Sequence, residues 1–334
     1  MNTSTSTASS RKAEESSTAR INLLALGALI APWLAAWLLP SFAQPQAYHD
    51  YADQRAWLGL SHAADVLSNL PFLVVGALGL HFVLHGWRTR NHDAFSDRRE
   101  AWPYALLFVG VVLTAFGSAW YHAQPNDTTL VWDRLPMALG FAGLVAGTLT
   151  DRAPQRIEQL LLAFAIVGTT TVFYWHASEN LAPYLVMQVG FMATALIATA
   201  WITSRYTHAN RVYLAAGLYA IAMIFERLDH QVYALLGGWI SGHTLKHLFA
   251  CAAILVILSM LRARRLSARR GALSEHEEPR MSYPAHYSLE LRPSRCVRWQ
   301  ASCYRPFSNH YRRSDRGVQM NEVRRQLSTM KVIE

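Results

Sequence analysis

Eight stretches of about 20 mostly apolar residues recur along the 334-residue chain, and they constrain its fold more than any other feature. A helix needs about 20 such residues to cross a bilayer. Buried helices of a soluble protein are usually shorter, and amphipathic elements cover them. The stretches lie near residues 21–42, 62–86, 101–122, 129–150, 157–175, 182–203, 211–230 and 241–261. The sequence therefore predicts an all-α, multi-pass membrane helix bundle.

The two ends of the chain differ from this apolar body. Residues 1–20 are rich in Ser and Thr, and residues 263–334 lack apolar periodicity, so we expect both segments to be disordered. From Arg262 onward there are 16 Lys and Arg against 7 Asp and Glu, and this excess equals the net charge of +9 of the whole chain. No basic stripe interleaved with aromatic residues accompanies it, so we expect no nucleic-acid partner.

The first apolar stretch, 21–42, has two interpretations. It can be a signal peptide, or it can be a retained transmembrane helix added to the bundle. Twenty polar residues precede it, and its apolar part is long for a cleaved signal. We therefore expect an extra N-terminal transmembrane helix.

Basic residues occur in every second loop. The loops after the second, fourth and sixth stretches and the segments at both ends carry nearly all the Lys and Arg, whereas the alternate loops contain only Arg55. Cytoplasmic loops carry this kind of excess. The pattern predicts that both termini are cytoplasmic, and it independently supports the number of spans.

Ionisable residues within the apolar stretches gather on the non-cytoplasmic side. The third stretch ends with Ser118 and His122, the fourth begins with Asp133, and the eighth begins with His243 and His247. The last two are four residues apart, so they share a helix face with Cβ atoms about 5–6 Å apart, which suits two imidazoles on one metal ion. A third imidazole from His122 would make a site typical of catalytic zinc. Asp133 can then act as a general base, and Ser118 can donate a hydrogen bond to a developing oxyanion.

Each of these residues also has a simpler interpretation. A lone HxxxH pair in a helix usually reflects chance or packing, and Ser118 by itself is typical of helix contacts in membranes. Asp133 can form a structural ion pair with Arg134, and His122 can be an interfacial histidine without a ligand. The convergence of four ionisable groups and a serine on one side favours a functional site near the non-cytoplasmic face.

Other polar residues at the same face are expected to support the site. Asp65, Ser68 and Asn69 enter the second span there, and we expect them to form hydrogen bonds between helices. Glu226 lies at the end of the seventh span, where helical spacing allows it to pair with Arg227 or to reach His230.

Taken together, these residues resemble the alkaline ceramidase family, which belongs to a wider superfamily of seven-helix metal-dependent membrane hydrolases that includes the adiponectin receptors. The matching segments are residues 64–72, 117–122, 132–137 and 241–248. The resemblance implies a seven-helix core within residues 43–262, with the helix at 21–42 as an addition.

The resemblance also implies roles for the polar residues. His122, His243 and His247 would bind zinc, Asp133 would activate a water molecule, and Ser118 would stabilise the oxyanion. The reaction would be hydrolysis of the amide bond of a ceramide-like lipid to a sphingoid base and a fatty acid.

A second metal site is implied in the loop before the second span. The family carries an acidic calcium-binding segment at this place, and Asp50 and Asp53 resemble two of its ligands by their spacing. Paired carboxylates can bind a hard cation through oxygen, although a solvated loop is the simpler interpretation. Arg55 stands where a further ligand would be expected.

Two rival functions remain open from the sequence. The first keeps the metal but changes the substrate to another membrane lipid amide or to an ester. The second is a non-enzymatic seven-helix receptor or transporter whose histidines are structural or relay protons. The enzymatic interpretations require the bilayer and a lipid substrate as partners, and the sequence leaves the oligomeric state open.

Overall fold

The computed structural model describes residues 3–89 and 94–267, with the side chains of residues 3–14, 87 and 89 left aside. Within these residues the chain is all-helical, apart from two isolated bridges that join Trp57 to Leu60 and Tyr206 to Leu266. The helices are α1 (Thr3–Leu38), α2 (Ala63–Leu67), α3 (Leu70–Thr89), α4 (Ala101–Ala123), α5 (Asp127–Thr150), α6 (Ile157–Ser178), α7 (Ala182–Trp201), α8 (Arg211–Arg227), α9 (Asp229–Leu235) and α10 (Gly242–Ala263). The predicted all-α class is confirmed. The predicted basic tail falls almost wholly outside the described residues, which end at 267.

Seven helical segments among the described residues are long and apolar enough to cross a membrane. They are α1, α2 together with α3, α4, α5, α6, α7 and α10. The remaining predicted span, 211–230, forms the 17-residue helix α8 and then breaks at Leu228 before α9. At 1.5 Å per residue α8 is about 26 Å long, slightly less than the hydrocarbon thickness of a bilayer. The set of long apolar helices suggests a multi-pass membrane protein.

The outer surface of these helices is apolar. Leu23, Phe116 and Val189, on three different helices, are 72%, 60% and 68% exposed. Soluble monomers rarely expose contiguous apolar patches of more than a few hundred Å². A lipid environment would cover these side chains.

The N-terminal segment differs from the expectation. Helix α1 begins at Thr3, so the predicted disorder of residues 1–20 is wrong from Thr3 onward. Residues 11–20 include Arg, Lys, Ala and Glu, which are good helix formers, and extending an existing helix needs no new nucleus. Ala25 and Ala28 lie on the buried face of α1, which packs against α7 and α6.

Helices α4 and α5 form the most extensive pair among the described helices, and glycines allow their close approach. A Cβ atom on Gly117 of α4 would lie 1.9 Å from the carbonyl oxygen of Trp132 on α5. Only a residue without a side chain fits there. The contact places the Ser118–His122 end of α4 directly beside Asp133 of α5.

The start of α10 is fixed in a similar way. A Cβ atom on Gly242 would lie 2.3 Å from the carbonyl oxygen of Phe225 on α8. The Ser241 side chain caps the helix by accepting a hydrogen bond of 2.9 Å from the backbone nitrogen of Thr244. The first turn of α10, which carries His243, is therefore held close to the end of α8.

Candidate metal centre

Three histidines from α4 and α10 come together in the interior. One ring nitrogen from each of His122, His243 and His247 lies within 4.8 Å of the other two, and the three residues are 1%, 2% and 4% exposed. His122 Nε2 and His243 Nε2 are 3.2 Å apart. Two nitrogens bound at about 2.05 Å in tetrahedral geometry would be about 3.3 Å apart. The spacing therefore fits two ligands of one metal ion.

A hydrogen bond orients the third imidazole. The Ser68 hydroxyl lies 2.6 Å from His247 Nδ1, which leaves Nε2 as the nitrogen available for a ligand bond. Histidine ligands usually have such a partner on the other ring nitrogen. Three buried nitrogen donors in this arrangement can hold a divalent metal ion and are consistent with zinc.

Two carboxylates fix the helix turn that carries His243. Asp65 Oδ1 accepts hydrogen bonds from the hydroxyls of Ser241 (3.0 Å) and Thr244 (2.8 Å). Asp229 Oδ1 accepts a hydrogen bond of 2.7 Å from the backbone nitrogen of His243. The predicted hydrogen bonds to another helix are thus confirmed for Asp65 and Ser68. The prediction is wrong for Asn69, whose side-chain nitrogen donates to the backbone oxygens of Asp65 and Val66 in the same span.

The segment of residues 42–55, here called the cap segment, crosses the site. The ring centroid of Tyr51 lies 4.8 Å from that of His122 and 4.6 Å from that of His243. Burial raises the pKa of the Tyr51 phenol well above its ordinary value, so the hydroxyl stays protonated. Tyr51 therefore packs over two imidazoles as a neutral ring.

Further contacts tie the cap segment to the bundle. The backbone nitrogen of Ala52 donates a hydrogen bond of 2.9 Å to Asp229 Oδ2. His49 lies 2.8 Å from the hydroxyl of Tyr121 and 3.1 Å from Asp127 Oδ1. These polar contacts on both sides of Tyr51 hold it over the histidines.

Two cavities that share part of their lining lie beside His243 and His247. The first, here called the apolar cavity, has a volume of about 110 Å³ and includes Ser118 and His247 in its lining. The second, here called the polar cavity, has a volume of about 420 Å³ and includes His243. Asp133 and Lys246 line both cavities. Asp133 thus lines both cavities, and Ser118 lines the apolar cavity together with His247.

Asp133 and Ser118 are close partners within that space. Both are buried and line the apolar cavity, and their side chains interact with each other. Asp133 also interacts electrostatically with the ammonium group of Lys246. A carboxylate with a hydroxyl and a cation nearby can take up or release a proton without bulk water.

Lys246 pairs with Glu226 across the cavity junction. Their Nζ and Oε1 atoms are 2.5 Å apart, and the hydroxyl of Tyr48 donates a second hydrogen bond of 2.9 Å to the same carboxylate oxygen. The predicted pairing of Glu226 with Arg227 or His230 is therefore wrong. Successive helix residues point about 100° apart, and Arg227 is exposed while Glu226 faces α10.

The expected calcium ligands do not form a metal site. Asp53 accepts hydrogen bonds from Arg55 Nε (2.8 Å) and Arg55 Nη2 (2.5 Å), so both of its carboxylate oxygens are occupied. Burial would raise the pKa of Asp53, but the hydrogen bonds from Arg55 hold it below its ordinary value. Asp50 is exposed, with His230 3.8 Å from its carboxylate. Among the described residues, the three histidines are the one group of three or more metal-binding side chains.

Sequence reasoning missed three residues of the site. Tyr51 lies in a loop with no recognisable pattern, and Asp229 lies at the break between two helices, where a polar residue is common. Lys246 lies between the two histidines of α10, and an ionisable residue in an apolar stretch is itself a signal of function. That signal was sufficient to single out Lys246, whereas only the contacts identify Tyr51 and Asp229.

A scan of the chain against protein-family models finds no match, and a search of curated proteins finds no significant match either. The likeness to the alkaline ceramidase family rests on the quoted segments and stays a prediction.

Proposed function

We propose that this chain is a membrane-embedded, zinc-dependent amidase that hydrolyses the amide bond of ceramide-type lipids. The observation that carries the proposal is a cluster of three buried imidazoles, two of which line cavities that Asp133 also lines, with Ser118 in the apolar one. A structural zinc site normally has four protein ligands, whereas a catalytic one keeps a position open. Three histidines beside a cavity fit the second kind.

Each of these residues has a separate role in the proposed amide hydrolysis. His122, His243 and His247 would hold the metal, which when bound supplies Lewis acidity that polarises a carbonyl and makes water more acidic. Asp133 accepts a proton from the attacking water and returns it to the nitrogen as the carbon–nitrogen bond breaks. Ser118 donates a hydrogen bond to the carbonyl oxygen as negative charge develops there. The products are a fatty acid and an amine.

The two cavities suit the two parts of a lipid amide. Apolar side chains, among them Leu107, Val111 and Ile257, make up most of the apolar cavity, which suits an acyl chain. The polar cavity contains carboxylates, arginines and tyrosines, which suit a hydroxylated or charged headgroup. A lipid bound across the junction would present its amide to Asp133.

The proposal includes an orientation in the membrane. The distribution of Lys and Arg predicts cytoplasmic termini and a site near the non-cytoplasmic face. The end of α4 and the start of α10 meet at the histidines, which supports one common depth for them. Mapping the accessibility of tags inserted at both termini and in the loop 124–126 tests this topology.

Metal analysis and a lipid panel test the function. The purified protein should contain about one zinc per chain, and replacing His243 and His247 together by Ala should remove it. The matched control replaces His81 and His85, an exposed HxxxH pair on α3, and should keep the zinc. A fully folded wild-type protein without zinc would favour a receptor or transporter instead.

Labelled lipids identify the reaction. Wild-type protein should cleave ceramide at the amide bond, whereas cleavage of ester lipids alone would contradict the amidase assignment. Asp133→Asn should keep the zinc and lose most turnover, because the base is gone and the ligands remain. Ser118→Ala should keep the zinc and lose about 10²–10³ in rate, the usual effect of one oxyanion donor. Loss of zinc in Ser118→Ala would contradict its role.

A further inference from the structure

Arg134 is a buried cation whose hydrogen-bonding capacity is largely unused. The residue is 5% exposed, and its Nη2 donates a hydrogen bond of 2.5 Å to a neutral group, Gln44 Oε1. Its Nη1 has no hydrogen-bond partner in the described part of the chain. Its guanidinium carbon lies 4.1 Å from the ring centroid of Trp175 and 4.8 Å from that of Tyr184. Aromatic faces stabilise the cation and fix its plane, but they leave donors free.

Other buried or partly buried arginines have an anionic or carbonyl partner within the protein, although Nη2 of Arg264 also lacks a hydrogen-bond partner in the described part of the chain. Arg264 forms an ion pair with Asp151, and Arg205 forms one with Glu100. Arg152 donates to the backbone carbonyls of Thr148, Ala198 and Ile202. Arg134 forms no ion pair within 4.0 Å among the described residues, and the carboxylate of Asp133 interacts with it electrostatically without forming one. Burying an unpaired charge is costly, so its retention calls for a partner from outside the chain.

Arg134 lines the polar cavity together with Asp133 and His243. The remaining charges of that cavity mostly have partners of their own. Glu226 is paired with Lys246, and Asp229 accepts hydrogen bonds from two backbone nitrogens. Asp50 and Arg227 are exposed at the edge. Arg134 therefore provides the unused hydrogen-bond donor that an anion in this cavity could bind.

We propose that Arg134 binds an anionic group, a phosphate or a carboxylate, on the headgroup side of the lipid amide that this protein cleaves. The inference rests on the proposed amidase function and narrows its substrate class to acidic lipid amides. A planar guanidinium with free donors matches the oxygens of phosphate and carboxylate. We place the anionic group on the headgroup side of the lipid because Arg134 lines the polar cavity and does not line the apolar one.

Two matched substrate pairs test the preference and distinguish phosphate from carboxylate. The first pair is a C12 ceramide and its 1-phosphate, and the second is N-dodecanoylglycine and its uncharged glycinamide. Wild-type protein should cleave the acidic member of at least one pair with a kcat/KM higher by about tenfold or more, the usual effect of a charge-assisted hydrogen bond. Arg134→Gln should lose this preference, because its kcat/KM should fall by about tenfold or more further on the acidic members than on the neutral ones. Arg134→Lys, which keeps the charge but not the planar donors, should retain part of it.

Arg227→Gln is the matched control, because Arg227 is an exposed arginine of the same cavity. It should retain the preference, and loss of the preference in this variant alone would overturn the proposal. Equal cleavage of acidic and neutral amides by wild-type protein would also overturn it and would leave the amidase function standing. Equal losses on acidic and neutral substrates in Arg134→Gln would show a structural role instead.

A binding measurement separates this inference from the reaction. Dodecyl phosphate should raise the melting temperature of wild-type protein more than dodecanol does, and the difference should vanish in Arg134→Gln. If that variant does not fold, the wild-type comparison decides, and equal shifts for the two compounds overturn the proposal. If the protein cleaves no amide but dodecyl phosphate still raises its melting temperature more than dodecanol does, the amidase function is contradicted and the anion site is supported.

Discussion

Replacing Gly117 by Ala tests whether the close packing of α4 on α5 assembles the site. The added Cβ would lie 1.9 Å from the Trp132 carbonyl oxygen, and ordinary contacts begin at 3.4 Å, so the helices must separate locally by about 1.5 Å. Overpacking of this kind costs about 1–3 kcal/mol. The separation would also move Ser118 away from Asp133. A misplacement of about 1 Å can cost about 10²-fold in rate.

Gly217 on α8 provides the matched control, because a Cβ there would meet nothing within 4 Å. Gly217→Ala should be neutral or should stabilise the helix by up to about 1 kcal/mol, the difference in helix propensity. Thermal unfolding in detergent and turnover of a labelled lipid amide should be measured for both variants. Gly117→Ala should melt at a lower temperature and lose most turnover. If it behaves like Gly217→Ala in both assays, the close approach does not position the site.

Three further changes probe the metal centre and the cap segment. Ser68→Ala removes the hydrogen bond that orients His247, so zinc affinity measured by chelator competition should fall about 10–100-fold. Gly242→Ala would place a Cβ 2.3 Å from a carbonyl oxygen, so it should lower the zinc content, and a content equal to wild type would contradict the packing argument. Because Arg55 holds the folded-state pKa of Asp53 below its ordinary value, the pair stabilises the fold above the unfolded value of about 3.9 and loses this effect as pH falls through the folded value. The melting temperature should therefore change little between about pH 8 and 5 and fall below about pH 4, and Asp53→Asn should flatten that fall.

Local patterns in the sequence were enough to predict most of the helices and the three histidines that come together. Apolar stretches of span length need no tertiary information, because backbone hydrogen bonds within each helix satisfy its polar groups. The i,i+4 spacing of His243 and His247 fixes their common face. Including His122 with the other two histidines required only the assumption that the end of the third apolar stretch and the starts of the fourth and eighth lie at the same depth in the membrane.

Local sequence patterns did not predict which charged side chains pair with each other at the site. Glu226 has several basic residues within reach along the chain, and only the packing of α8 on α10 selects Lys246. The expected calcium pair failed for a similar reason, since Arg55 folds back onto Asp53 and occupies both oxygens. Such pairings depend on which side chains face each other across helices and loops, and short-range periodicity carries no information about that.

The sequence by itself determined an all-helical chain with apolar helices of membrane length and three histidines able to share a metal. Only the tertiary structure placed Tyr51 over the imidazoles and left Nη1 of the buried Arg134 without a hydrogen-bond partner among the described residues. The physical reason is the range of the interactions. Helix formation and the hydrophobic pattern are local, whereas the environment of a buried charge is set by residues far away in the chain.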